Sequence, residues 1–240
     1  MVEAQDAIEP EDGAERDVTS PWESDQREVL RATFDQDAEA YDRSRPVAPD
    51  DVFDEALRLA SLAPGSTVVE IGPGTGQATR FDAVFACNSF HWIDPVIRFT
   101  KAAAVLRAGG HLVVLATPWV IPETADRFWW DVQDDWESVG LLFDPSTMHP
   151  DLIVDLAPVV RASGVFEEPT ITRRLFEVTF TADGYATNLS TQSGVKKLPE
   201  NARADLVARV HQRVQGHGGR VTAHLLAMLT VARRAENPRP

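Results

Sequence analysis

The run Val68-Val69-Glu70-Ile71-Gly72-Pro73-Gly74-Thr75-Gly76-Gln77 decides how the rest of the chain is read. Two valines, an acid and an isoleucine read as a buried parallel strand. Three glycines at alternate positions follow at once, and glycine accepts positive φ and lets backbone approach a ligand closely. From Gln77 the chain reads as a helix start, whose free N–H groups favour anionic or polar groups. Strand, glycine loop and helix together open a nucleotide-type site. A dinucleotide fingerprint carries its third glycine five residues after the first; Gln77 stands at that position, and the third glycine comes one earlier. A glycine-rich turn in some other α/β domain is the competing reading.

Around this run, 240 residues suit one α/β domain with additions. A 43% hydrophobic content is enough for a core. The single cysteine, Cys87, excludes an internal disulfide and a cysteine-rich zinc site. The six histidines show no metal-ligand spacing, so no metal is expected. The chain has no apolar run long enough to span a bilayer and no signal-peptide pattern, which points to a cytoplasmic protein with no membrane partner. Net charge is −14, and residues 1–25 hold nine carboxylates and one arginine of that balance. Residues 1–26 read as an acidic disordered tail, with an interaction tail as the alternative. The rest, residues 27–240, is itself acidic, which disfavours nucleic acid as a partner.

Three further stretches stand out. Phe34, Asp35, Ala38, Tyr41, Asp42, Arg43, Arg45 and Pro46 form one, with Phe34, Ala38 and Tyr41 on a single helical face. Asn88-Ser89-Phe90-His91-Trp92-Ile93-Asp94 follows a second apolar strand, Phe81 to Asn88. Thr181-Ala182-Asp183-Gly184-Tyr185 leads to Leu189-Ser190-Thr191-Gln192-Ser193. With Glu70 and the glycine loop, and with Leu106-Arg107-x-Gly109-Gly110-x-Leu112, these resemble the class I S-adenosylmethionine-dependent methyltransferases, in the small-molecule subgroup resembling trans-aconitate methyltransferase. The likeness runs from about Phe34 to Arg234. It implies a Rossmann-like sheet with helices on both faces, S-adenosylmethionine as cofactor and a small-molecule acceptor.

The resemblance also implies site roles. Residues 27–48 become a lid, with Tyr41 and Arg45 near the methionine end of the cofactor. Packing of the tyrosine on the core and a surface pair for the arginine compete with that reading. Gly72, Gly74 and Gly76 let the backbone lie against the ligand, and Glu70 anchors the loop and the ammonium side. Gln77 starts the helix, and Asn88 and Phe90 flank the adenosyl group or the methyl donor. His91 is the one histidine at a ligand-facing strand end and is the candidate acid or base; a hydrogen-bonded wall residue is the plainer alternative. Methyl transfer needs positioning and exclusion of water more than fixed catalytic groups. Residues 120–220 supply substrate-side additions, and Arg173 and Arg174 are either contacts for an acidic substrate or surface charges.

One junction is awkward. Only Gln77 to Arg80 separate the glycine loop from the strand beginning at Phe81, and in the family that strand is the fourth, parallel to the first and beside it. A parallel crossover takes a dozen or more residues. Helices with the second and third strands, about 40 to 50 residues, belong between Arg80 and Phe81. Either that segment is absent from this sequence, or the loss is real and the strands form an antiparallel hairpin or one of them leaves the sheet. In the second case the protein is a degenerate, methyltransferase-like remnant with weak or no cofactor binding. The ribose-binding carboxylate expected about 20 residues after the glycines has no counterpart, and Asp82 belongs to the next strand.

Periodicity outlines the rest. Helices are expected from an N-cap at Asp50 to Pro64, from Asp94-Pro95 through Val96, Phe99, Ala103 and Leu106, over 122–139, over 151–163 with a bend at Pro158, at 181–189 and over 199–215. Strands are expected over 111–117, 173–180 and 221–232.

Overall fold

The computed structural model describes residues 43–71, 81–141 and 144–236. The acidic tail, Tyr41, Gly72, Gly74, Gly76, Gln77 and Arg80 lie outside the described residues.

In chain order the elements are α1 (Asp50–Leu59), β1 (Val68–Glu70), β2 (Phe81–Cys87), a 3₁₀ turn (Phe90–Trp92), α2 (Arg98–Val105), β3 (Leu106–Ala116) and β4 (Trp119–Val120). There follow α3 (Phe128–Asp131), α4 (Gln133–Glu137), α5 (Ala157–Ser163), β5 (Thr170–Thr181), α6 (Ala182–Ser190), α7 (Ser193–Lys196), α8 (Glu200–Gly216) and β6 (Arg220–Arg233). The strands form one sheet in the order β1-β2-β3-β6, with β4 continuing the β3 side of β6 and β5 on its other side. β1, β2 and β3 run parallel, and β6 is antiparallel to its neighbours.

This is a mixed α/β fold with a central sheet and helices on both faces. On one face α1 lays Val52, Ala56 and the following Ala60 on Ala83, Val113, Leu115, Leu229 and Val231. On the other, Phe99, Ala102 and Ala103 of α2 and Val160 of α5 cover Val84, Ala86, Leu112 and Val114. Coverage on both sides is why β2 and β6 read as nearly unbroken apolar runs. A third cluster sits at the far end of β6. There α8 presents Leu206, Val210 and Val214 at helical spacing, and β6 presents Val221, Ala223 and Leu225. Aromatic rings of Trp119, Phe128, Trp129, Phe180 and Tyr185 close it edge to face or stacked.

The parallel pairing of β1 with β2 excludes one arrangement expected for a real loss at residue 80. Val68 lies opposite Ala83 and Glu70 opposite Phe85, so the antiparallel hairpin is not what forms. By this register the start of β2 lies about 17 Å behind the end of β1 at the usual rise per residue. Nine residues, 72–80, stand between Ile71 and Phe81 in the sequence, and an extended contour of about 30 Å covers that distance.

Other expectations need correction. β1 is not buried: Val68 is 46% exposed, because among the described residues no strand lies beyond β1. Pro49, not Asp50, is the N-cap of α1; no side chain caps it, and Asp50 and Asp51 occupy the first turn. Val96 is 84% exposed, since the chain from Asp94 makes a turn before α2 begins at Arg98. The long helix over 122–139 is two short ones meeting at Val132. Pro158 opens α5 instead of bending a longer helix, and Gly164 ends it at φ +66° as a left-handed cap.

Candidate functional site

Three parallel strands end together where β1, β2 and β3 finish, and of the sequence-predicted residues that the structure describes, Glu70, Asn88, Phe90 and His91 gather there. β1 delivers Glu70, which is exposed, and then Ile71, whose N–H donates to Phe85 O at 2.7 Å. The hydroxyl of Ser89 donates to Ile71 O at 2.7 Å, fastening the end of β1 to the turn after β2. Asn88 adopts φ +49°, a left-handed conformation that asparagine tolerates better than most residues. Its amide is a clamp: Nδ2 donates to Thr117 Oγ1 at 2.7 Å, and Oδ1 accepts from Thr117 N at 2.8 Å. The backbone N–H of Asn88 also donates to Leu115 O at 2.9 Å. The three strand ends are thus pinned in fixed register.

Past the clamp, the 3₁₀ turn turns Phe90 inward. Phe90 is buried and packs edge-on against Phe99. The buried guanidinium of Arg98 lies over both rings, 5.5 and 5.1 Å from their centroids. Phe90 is therefore part of the core under the site. His91 is half-buried, with its ring 4.8 Å from that of Trp92. Burial, and then the positive charge of Arg98, push its imidazole down to about 4. It is neutral at physiological pH, able to accept a proton but not to act as a standing cation.

Glu70 lies near Cys87, whose thiol is pushed up by burial and then by the Glu70 charge. The first described residues form a strap to the end of α6. Asn188 Nδ2 donates to Ser44 O at 2.9 Å, and Arg45 Nη2 donates to Thr191 O at 3.3 Å. The strap joins two stretches that the sequence reading singled out separately, about 145 residues apart. Arg45 is thereby tied to the end of α6.

Asp82 is at the opposite end of β2. It accepts from Thr67 N at 2.7 Å and Thr67 Oγ1 at 2.8 Å, and pairs with Arg107 Nε at 2.5 Å. The Thr67 N–H, then Arg107, lower its carboxyl to about 2. It ties β1, β2 and β3 together where they start. Arg173 donates to the carbonyls of Ile153 and Pro150, and Arg174 pairs with Asp51. A cleft of about 470 Å³ between α6 and α8, lined by Ser190, Arg203 and His211 among others, contains none of the predicted site residues.

Sequence reasoning did not single out Thr117 or Ser89 as structural partners of the site. Thr117 was readable as the residue ending the third parallel strand, and laying the strand ends level would have set it beside Asn88. The contact of Arg98 with Phe90 had no local signal.

No family model matches this chain, and no curated protein matches it. Solved structures do resemble it. One is an S-adenosylmethionine-dependent methyltransferase from Geobacter sulfurreducens in complex with S-adenosyl-L-homocysteine. It has 14% identity and a TM-score of 0.38, with 88% of this chain and 98% of that chain covered. A protein from Anaeromyxobacter dehalogenans, described as a possible type II methyltransferase, has 14% identity and a TM-score of 0.49, with 81% and 99% covered. An N-methyltransferase from Haemonchus contortus, in complex with phosphomonomethylethanolamine and S-adenosylhomocysteine, has 12% identity and a TM-score of 0.41, with 90% and 61% covered. Likeness at this level fixes neither ligand nor reaction.

Proposed function

We propose that the protein is an S-adenosylmethionine-dependent methyltransferase acting on a small-molecule acceptor. The observation that carries this is the parallel pairing of β1 with β2, which sets Glu70–Ile71 and Asn88–Trp92 on one edge of the sheet. Ligands bind in open α/β sheets outside the carboxyl ends of the strands. In this reading residues 27–240 form the catalytic domain, residues 27–48 its lid, residues 120–220 the acceptor side, and the acidic residues 1–26 a tail. The cytoplasm is its compartment.

What this edge offers fits such a cofactor in part. Glu70 is an exposed carboxylate at a strand end, suited to an ammonium group. Asn88 spends its amide on Thr117 and Phe90 its ring on the core, so both shape the wall more than they reach a ligand. Gly72, Gly74, Gly76 and Gln77 are the proposed cradle, and Tyr41 and Arg45 the proposed cover. When bound, S-adenosylmethionine supplies the electrophilic methyl group. The chain's own work is to align the acceptor and keep water out. His91 is the proposed acid or base where the acceptor must lose a proton, and a weak base at neutral pH, because burial and Arg98 hold its imidazole at about 4.

A second reading is favoured by a specific observation. β1 is an edge strand among the described residues, and Asp82 is spent at the wrong end of the sheet to bind a ribose. A remnant that binds the cofactor weakly or not at all has this appearance. Calorimetry with S-adenosylhomocysteine separates the two. Micromolar binding at one site per chain is expected, with Gly74→Val abolishing it, because a branched side chain fills the close-approach surface. Absence of binding to the folded wild-type chain establishes the remnant. Unchanged affinity in folded Gly74→Val removes the glycine loop from the site.

A further inference from the structure

β5 is twelve residues long, contains no proline and is exposed along most of its length. Among the described residues, β6 is the only strand paired with it. Exposed edges of this length are usually blunted by charge, bulge or proline because they present unpaired N–H and C=O groups. β5 carries charge of both signs on one face, Arg173 and Glu177, with Leu175 between them at 45% exposure.

That arrangement is self-complementary in one register. A two-fold axis perpendicular to the sheet keeps each face on its own side, so a residue meets one of the same face and the axis passes through a like pair. An axis at Arg174 sets two arginines against each other. An axis at Phe176 sets Leu175 against Glu177 and leaves Arg173 opposite Thr179. An axis at Leu175 sets leucine on leucine, Arg173 on Glu177 twice and Arg174 on Phe176 twice. The same register pairs every residue from Thr170 to Phe180, nearly the whole strand. Directly opposed side chains have Cβ atoms about 4.5–5.5 Å apart, close enough for each of these contacts.

The groups are already held in place. Arg173 donates to Ile153 O at 2.8 Å and to Pro150 O at 2.5 Å, which steadies its guanidinium on this face. Glu177 contacts His224 Nε2 through Oε1 at 3.2 Å, while its side chain is 66% exposed.

We propose that two copies of the chain associate by antiparallel pairing of β5 with β5, centred on Leu175, so that one sheet runs through both. The area buried by a strand pair falls below that of permanent complexes, so the dimer forms in a concentration-dependent way.

Sedimentation of the full chain over a dilution series tests this. A monomer–dimer equilibrium is expected. Leu175→Lys places like charges on the axis and weakens it about tenfold or more. Glu177→Arg weakens it similarly, and Arg173→Glu with Glu177→Arg restores it. Hydrogen exchange of wild-type β5 amides, slowing as concentration rises, gives a readout that needs no variant. A monomer at every concentration overturns the proposal. So does a dimer indifferent to Leu175→Lys but broken by Val68→Lys in β1, the other edge strand among the described residues, or β5 exchange that does not change with concentration.

Discussion

The part of the sheet around β6, a strand paired on both sides, and the edge at β1 are built to different standards. At the β6 end, Leu206, Val210, Val214, Ala223 and Leu189 are all 0% exposed. A 14-residue strand there is paired on both sides. At the β1 end, among the described residues, a three-residue strand has one partner strand and exposes Val68. Both ends use the same kind of residue, so hydrophobicity does not explain the difference. What differs is whether a second element arrives to cover the apolar side. The β6 end has α6, α8 and the aromatic cluster, whereas among the described residues β1 has β2 as its one partner strand and packs the half-buried Val69 and Ile71 against the cluster around α2 and α5. The fold is therefore anchored at the end opposite the glycine loop, and the proposed site sits on the lightly supported part.

Mutation at the well-covered end is expected to have the largest effect. Leu206→Ala removes a fully buried side chain from between α8 and the aromatic cluster and is expected to cost about 2–5 kcal/mol in denaturant melts. A loss below about 1 kcal/mol would mean that this layer repacks freely, and the contrast between the two ends would fail.

The middle of the range belongs to His91. Its pKa is about 4 when folded and near 6.5 when unfolded. A base held neutral in the native state binds its proton only on unfolding. Stability is therefore complete above about pH 6.5 and declines as pH falls toward about 4, by at most about 3 kcal/mol. His91→Gln is expected to flatten that part of the stability curve. Asp82, with its carboxyl near 2, contributes stability that is lost at lower pH, as pH falls from the ordinary aspartate range through about 2. The two windows meet near pH 4, so the His91 variant separates them. An unchanged slope above that pH in the variant would show that His91 is solvated in solution.

Much of the fold was legible because it rests on local period. The alternation from Arg173 to Phe180 gave β5, the spacing of Leu206, Val210 and Val214 gave α8, and the apolar run from Phe81 gave β2. Element type survives in such patterns because one face of each must be buried. Burial of a particular strand does not, since it depends on neighbours distant in sequence. Val68-Val69 has the composition of a central strand and lies at an edge. Val96 has the composition of a core residue and sits on an exposed turn. β4 is two residues long, too short for any period, and is held by pairing with Leu225 and His224. At the site, the placement of Asn88–Trp92 beside Glu70 was expected from resemblance, since local pattern cannot decide between a parallel and an antiparallel neighbour. The Asn88–Thr117 clamp and the Arg45–Thr191 contact span 29 and 146 residues, and no window of sequence contains both partners.

The smallest expected effect bears most directly on the β1 edge. Val68→Thr keeps the β-branched shape and the strand propensity while adding a hydroxyl. At a position 46% exposed, with Ala83 opposite on β2, its one partner strand among the described residues, the hydroxyl stays in water and the change is expected to cost less than about 0.5 kcal/mol. The same substitution at Val113, which is fully buried between α1 and the sheet, places a hydroxyl among apolar groups and is expected to cost about 1–3 kcal/mol. Paired urea melts of the two variants measure the difference in support across the sheet. Equal losses would mean that Val68 is covered in solution, so that the β1 end is as fully built as the β6 end. The remnant reading would then lose the bare edge that favours it.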